Sequence, residues 1–167
     1  MESALGQTFA ARLVRAARRG GNELAASASE TIDLENASAA LLLAGAGRDM
    51  SAEDAFLAGG NRLSRADFLA AAAAPDRATA AGRLGQVFRG MPLAAAFEGE
   101  PAALEAEILG IRLRGLAAAA RRRPLGPAPF LLYLLRLRAE LLDLRKVLWG
   151  IALGVPRERL ARELVTP

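Results

Sequence analysis

The chain has 167 residues, of which 53% are hydrophobic and 24% are charged, and its formal net charge is +4. This length and apolar content suffice to bury a core, and the ordinary charged fraction excludes a wholly disordered chain. The absence of cysteine and histidine excludes disulfides, thiol catalysis, the usual zinc sites and histidine acid–base chemistry. We therefore expect no catalytic, cofactor-binding or metal-binding residues.

Alanine and leucine dominate the chain, and β-branched residues are few, so helix is the default local structure. We predict an all-α antiparallel bundle of about seven or eight helices. It would form a single domain over 1–167, with possible helical units at 1–75 and 76–167. The N-terminus lacks the apolar core of a signal peptide, and the alanine run at 70–74 is too short to span a bilayer. We expect a cytoplasmic polypeptide.

Capping signals divide the first half into helices. The sequence SAEDAFL begins at Ser51 with a capping-box-like pattern, and Gly59-Gly60 is predicted to end that short helix. Ser64 with Asp67 repeats the pattern before the next helix. Asp76 is predicted to begin the one after.

A long helix is predicted from Phe130, with a stripe of apolar residues spaced alternately by four and three. Leu131, Leu135 and Leu142 form a second line beside the stripe, so the buried sector looks wider than a two-stranded coiled-coil seam needs. We expect the stripe to lie in the core, with Trp149 at its end, and Leu141→Ala to cost about 2 to 5 kcal/mol. The stripe comprises Phe130, Leu134, Leu137, Leu141, Leu144, Leu148 and Ile151.

A turn is predicted after this helix. Gly154 suits the left-handed position that ends a helix, and Pro156 suits the first turn of the next. The sequence RERLAREL then predicts a short second helix.

The same order of parts occurs twice. ETIDL at 30–34 and ELLDL at 140–144 share the spacing Glu-x-x-Asp-Leu. Each lies in a long helix that becomes apolar, reaches a glycine turn and precedes a short helix. This predicts two related long helix–turn–short helix units.

Acidic residues cluster within these two long helices, where they would line a polar surface for a partner. Glu30, Asp33 and Glu35 fall within two turns, and Glu140 and Asp143 lie one turn apart. The alternative is an ordinary solvated face with local ion pairs, such as Arg136 with Glu140.

Four segments together resemble the C subunit of the archaeal and bacterial A/V-type ATPases, which is equivalent to the d subunit of the vacuolar ATPase. In chain order they are ALGQTFAARLVRAARRGGNEL, TIDLENASAALLLAGAG, FLAGGNRLSRADFLAAA and AELLDLRKVLWGIALGVPRERLARELV. The chain departs from the family at Asp143, where Asn is usual, and at Ile151, where lysine is frequent. It is also shorter than a typical member, as if an N-terminal unit were missing.

The resemblance implies a noncatalytic subunit that couples the central rotor stalk to the membrane proteolipid ring during proton or sodium transport. It implies partners among the proteins of the stalk and the ring, no nucleic acid, and a peripheral position on the cytoplasmic face of the membrane. A helix–turn–helix DNA-binding protein and a generic helical scaffold are the alternatives. The residues predicted to contribute to partner contacts are Glu30, Asp33, Glu35, Asn36, Glu140, Asp143, Arg145 and Lys146.

Overall fold

The computed structural model describes residues 2–45, 52–100 and 103–165. These residues form helices and connecting turns without a strand, which confirms the all-α class. There are nine helices in this part of the chain, slightly more than predicted. In chain order they are α1 (Glu2–Arg19), α2 (Asn22–Leu43), α3 (Ala52–Ala55), α4 (Arg65–Ala72), α5 (Arg77–Val87), α6 (Ala94–Glu98), α7 (Leu104–Arg122), α8 (Ala128–Ala152) and α9 (Arg157–Glu163).

The chain divides into two compact units, Met1–Glu98 and Gly99–Pro167. The predicted division after residue 75 lies earlier than this boundary. Helix α5 packs against α2 and α4, and the ring of Phe88 lies 5.1 Å from that of Phe97 in α6. These apolar contacts join α5 and α6 to the first unit. The single domain over 1–167 stays a prediction.

The predicted caps in the first unit are confirmed. The Ser64 hydroxyl accepts a hydrogen bond from the backbone N–H of Asp67 at 3.1 Å and donates one to the Asp67 carboxylate at 2.6 Å. The Asp76 carboxylate accepts a hydrogen bond from the backbone N–H of Thr79 at 2.7 Å. The start predicted at Ser51 lies outside the described residues.

A group of large apolar side chains forms the core of the first unit. Each is at most 1% exposed, and α4, α5, α6 and the turns beside them contribute its members. Helix α2 packs against α1, α4 and α5, so this core supports the face of α2 that carries the predicted site. The group comprises Phe68, Leu84, Phe88, Leu93 and Phe97.

In the second unit, α8 packs against α7 through Ala139 and through Leu135 and Leu142 of its second apolar line. Ala139 is completely buried, and Leu142 is 9% exposed. Together with Leu109 of α7 they form a core, against which Leu113 and Leu135 pack. Ala139 and Leu142 therefore mark the side of α8 that faces α7.

The stripe that begins at Phe130 is exposed, so its predicted place in the core is wrong. Its members range from 39% exposed at Leu137 to 69% at Ile151. Trp149 is 64% exposed, and its predicted burial is also wrong. Helix α8 is apolar on two sides, and α7 covers only the side that contains Ala139.

The predicted turn between α8 and α9 is confirmed. Gly154 has φ of 68°, and the N–H of Val155 bonds to the carbonyl of Gly150 at 2.8 Å. Gly150 is buried, and a Cβ there would lie 3.0 Å from Cγ of Leu160 and still closer to its methyl groups. The glycine therefore lets α9 fold back closely onto α8.

Candidate partner interface

Asp33 lies buried on α2, where its carboxylate holds the loop that leads into α4. Only 2% of the residue is exposed. Its Oδ2 accepts hydrogen bonds from the backbone N–H groups of Asn61 at 3.0 Å and Arg62 at 3.1 Å. Its Oδ1 accepts a third from Leu63 at 3.1 Å. Because an ionised carboxylate only accepts hydrogen bonds, three converging N–H donors match its chemistry and offset the cost of burial.

Asn36 lies one turn further along α2 and holds the start of the same loop. Its side chain is completely buried. The amide Nδ2 donates to the carbonyl of Leu57 at 2.8 Å, and Oδ1 accepts from the N–H of Leu57 at 2.8 Å. One side chain thus satisfies both main-chain polar groups of a residue that has left a helix. Asp33 and Asn36 together bind the loop at both of its ends.

Asp143 on α8 has a comparable role in the second unit. It is 7% exposed, and its Oδ1 accepts a hydrogen bond from the N–H of Val165 at 2.8 Å. Lys146 lies one turn further on and donates from Nζ to the carbonyl of Glu163 at 2.7 Å. These two side chains bind the backbone at the end of α9 and just beyond it.

The two Glu-x-x-Asp-Leu sequences therefore place their aspartates in similar surroundings. In each unit, the aspartate is buried on a long helix, and its carboxylate accepts main-chain hydrogen bonds from a segment that follows a short helix, three at Asp33 and one from Val165 at Asp143. In each, the residue three positions later, Asn36 or Lys146, bonds to the backbone of the same returning segment. In both long helices, the aspartate and the residue three positions later thus bind the backbone that follows the short helix.

The remaining predicted residues lie nearer the surface. Glu35 is exposed on α2, two residues from Asp33 and so on the opposite side of the helix, while Glu30 is half-buried. Glu140 and Arg145 are exposed on α8. The structure thus brings Asp33 with Asn36, and Asp143 with Lys146, to shared sites, and leaves Glu35, Glu140 and Arg145 accessible.

One acidic residue that the sequence did not single out joins two basic residues of α8. Glu105, at the start of α7, lies 3.0 Å from Nη2 of Arg138 and 3.9 Å from Nη2 of Arg145. All three side chains are at least half exposed. Exposed pairs of this kind stabilise a fold only slightly, so Arg145 remains able to reorient toward a partner.

The role of Gly60 was not apparent from the sequence, in which this residue was predicted only to help end a helix. A Cβ there would lie 2.8 Å from Cγ of Asp33 and would overlap Oδ1. A glycine is therefore required where the loop passes over the carboxylate. The Gly-Gly pair at 59–60 is the sequence feature that could indicate this close contact. It does so only when the position of the loop against α2 is known.

Among the described residues, no helix combines the length and the apolar character needed to cross a membrane. Comparison with curated proteins and with solved structures finds no match. Comparison with protein families finds one whose model spans residues 1–163 and is described as the ATP synthase (C/AC39) subunit. The match covers α2 and α8, the two aspartates Asp33 and Asp143, and the short helix α9. The chain belongs to the ATP synthase (C/AC39) subunit family of the A/V-type ATP synthases.

Proposed function

We propose that this chain is a noncatalytic subunit of a rotary A/V-type ATPase or ATP synthase. In this proposal it couples the central rotor stalk to the membrane proteolipid ring during proton or sodium transport. It sits peripherally on the cytoplasmic face of the membrane and is held there by its protein partners. The observation that carries the proposal is the family match over 1–163.

The geometry of the aspartate sites supports the proposal, because a coupling subunit must transmit force without changing shape. A coupling element must keep its surfaces at constant positions, and a loop bound at several main-chain groups resists displacement. Asp33 and Asn36 provide such a connection in the first unit, and Asp143 with Lys146 provide one in the second. In this proposal they hold the partner surface in place from within.

The charged residues that reach the surface are the ones we propose for direct contact. These are Glu35, Glu140 and Arg145, together with the half-buried Glu30 of α2. Because contacts between exposed charges mainly set orientation and the rate of encounter, a single change should weaken assembly without abolishing it.

The experiment is affinity capture of the tagged protein from membranes of its native host after mild detergent extraction, with mass spectrometry of the retained proteins. Wild type is expected to retain the nucleotide-binding subunits and the proteolipid ring of the ATPase. Glu35→Lys is expected to retain less, because it reverses a proposed contact charge. Glu158→Lys is the matched control, since Glu158 is exposed on α9 and outside the predicted interface.

Recovery of no ATPase subunit, from membranes shown to contain the enzyme, would overturn the proposed function. Duplex DNA would then be the next ligand to test, by measuring retention at increasing salt. Equal recovery with Glu35→Lys and wild type would remove Glu35 from the contact surface and leave the coupling role in place. Circular dichroism of each variant checks that the helices are intact.

A further inference from the structure

The segment that joins α7 to α8 carries a concentrated positive charge. Arg121 and Arg122 lie in the last turn of α7, Arg123 follows directly, and all three are exposed. From 108 to 139 the sequence contains seven arginines and no acidic residue, whereas the whole chain has a formal net charge of only +4. Helices α7 and α8 pack against each other as a hairpin, and we call its end, residues 121–126, the basic turn.

An apolar side chain lies in the middle of the basic turn. The N–H of Gly126 donates a hydrogen bond to the carbonyl of Arg123 at 3.1 Å, which closes a four-residue turn around Pro124 and Leu125. The proline ring fixes its own φ and so stiffens the turn. Leu125 is fully exposed. The turn therefore holds a leucine out in solvent directly beside three arginines.

The first turns of α8 add exposed aromatic and apolar side chains next to the basic turn. Phe130 is 61% exposed and Tyr133 is 59% exposed. With the exposed Leu134 they lie on one side of α8, within about 10 Å of its start along the helix axis. Leucine and aromatic rings beside arginine are typical of protein segments that lie at the headgroup level of a bilayer.

The composition of this region favours a lipid surface over other anionic ligands. Apart from the arginines, Tyr133 is the only residue from 108 to 139 whose side chain can form hydrogen bonds. Nucleic-acid recognition usually adds Asn, Gln, Ser or Thr to the arginines. Arginines in the last turn of α7 also compensate the negative end of the helix dipole. Neither role requires an exposed leucine, and insertion into a bilayer surface does.

We propose that the basic turn binds the headgroup region of an anionic lipid bilayer. Arg121, Arg122 and Arg123 contact lipid phosphates, and Leu125 enters the boundary between headgroups and acyl chains. The attraction of basic residues to the anionic cytoplasmic leaflet increases with their number. This inference goes beyond the proposed function, because it adds a direct contact with lipid. It is tested without any ATPase subunit, so its failure would leave the proposed function standing.

Flotation of the full chain with vesicles measures this binding. The chain is expected to float with vesicles of phosphatidylglycerol and phosphatidylcholine and not with phosphatidylcholine alone. Changing the three arginines of the basic turn to glutamine together should lower the affinity for the anionic vesicles by about a hundredfold. The matched control removes the same charge from the exposed arginines at the end of α1 and should change the affinity by less than about threefold. It combines Arg15→Gln, Arg18→Gln and Arg19→Gln.

The apolar part of the proposal has its own variant. Leu125→Gln keeps every charge and should lower the affinity for anionic vesicles by about tenfold, because the leucine no longer leaves water on binding. Leu153→Gln is the matched control, since Leu153 is 74% exposed just beyond the other end of α8. It should bind vesicles like wild type. Circular dichroism of each variant checks that the helices are intact.

Tryptophan fluorescence reports which part of the second unit meets the lipid. Trp149 is the only tryptophan of the chain, and it lies about 30 Å along α8 from the basic turn. Leu125→Trp in a Trp149→Phe background should shift its emission to shorter wavelength when anionic vesicles are added. The wild-type emission, which comes from Trp149, should shift far less.

Four results would overturn the proposal. The first is no flotation of wild type with anionic vesicles. The second is an equal loss from the two arginine triples, which would show that net charge alone governs binding. The third is an equal emission shift from Trp149, which would show α8 lying flat on the bilayer. The fourth is retention on duplex DNA that the basic-turn triple abolishes, without vesicle binding, which would assign the turn to nucleic acid.

Discussion

Gly60 lies against the carboxylate of Asp33 so closely that a Cβ at Gly60 would overlap Oδ1. The carboxylate receives its three main-chain N–H donors from the residues that directly follow this glycine. Close approach of the loop and satisfaction of the buried charge therefore depend on each other. This relationship explains how an acidic residue is buried in α2, and it leads to two predictions.

Asp33→Ala should lower the free energy of unfolding by roughly 2 to 5 kcal/mol, because it leaves several main-chain N–H groups without their acceptor. Urea unfolding followed by circular dichroism measures the change. Glu140→Ala is the control, since Glu140 is exposed in the middle of α8, and its effect should stay within about 0.5 kcal/mol. Similar effects of the two changes would contradict the structural role of Asp33.

Gly60→Ala should destabilise the protein by about 1 to 3 kcal/mol, since the added methyl group displaces either the loop or the carboxylate. Gly82→Ala makes the same chemical change on α5, where a Cβ would have no neighbour within 4 Å. It should raise the free energy of unfolding by about 0.5 to 1 kcal/mol, because alanine favours helix over glycine. The two glycines are thus expected to give effects of opposite sign in the same unfolding assay.

Leu142→Ala should cost about 2 to 4 kcal/mol, because Leu142 is buried against α7. Leu141→Ala should change stability by less than about 0.5 kcal/mol, because Leu141 is 67% exposed. A larger loss of stability for Leu141→Ala than for Leu142→Ala would contradict the orientation of α8 described above.

Asp76 should make the start of α5 sensitive to acid. The backbone N–H of Thr79 donates a hydrogen bond to the Asp76 carboxylate, and this is the main reason why the pKa of Asp76 lies below its ordinary value of 3.8. Hydrogen bonds from the Thr79 side chain and from the backbone N–H of Ala78 lower the pKa further. Because the folded state holds the ionised form, the stabilisation is complete above the unfolded-state pKa and is lost as pH falls through the folded-state pKa. A carboxyl NMR titration should place the Asp76 midpoint below 3.8.

A mutant comparison checks that this stabilisation comes from the charge of Asp76. Asp76→Asn retains a good N-cap but cannot ionise. The stability difference between wild type and Asp76→Asn should therefore be larger at neutral pH than below the folded-state pKa of Asp76. A difference that does not change with pH would contradict the assignment.

Helical propensity, capping residues and turn residues predicted the features that depend only on residues close together in the sequence. Helical propensity predicted the all-α class, and Ser64 and Asp76 form the predicted caps because a cap requires only a side chain and the backbone a few residues later. Gly154 forms the predicted turn for the same reason. The order of the segments predicted the family, which the match over 1–163 confirms.

The candidate site could be predicted only in part. The i, i+3 spacing of Asp33 and Asn36 places both on one face of α2, and the sequence identified both residues. Their burial depends on a loop that begins about twenty residues later and folds over that face, as the Asn36–Leu57 hydrogen bonds show. Local periodicity carries no information about such a contact, so sequence reasoning placed buried aspartates among the surface charges.

Helix α8 shows most clearly what the sequence determined and what tertiary structure decided. The sequence determined that α8 is a helix with two apolar lines, because both lines follow from residue spacing alone. It predicted that both lines lie in the core. Tertiary structure decided that the side with Ala139 and Leu142 packs against Leu109 of α7. The shape of that contact depends on both helices, so the residue spacing of α8 alone could not predict it.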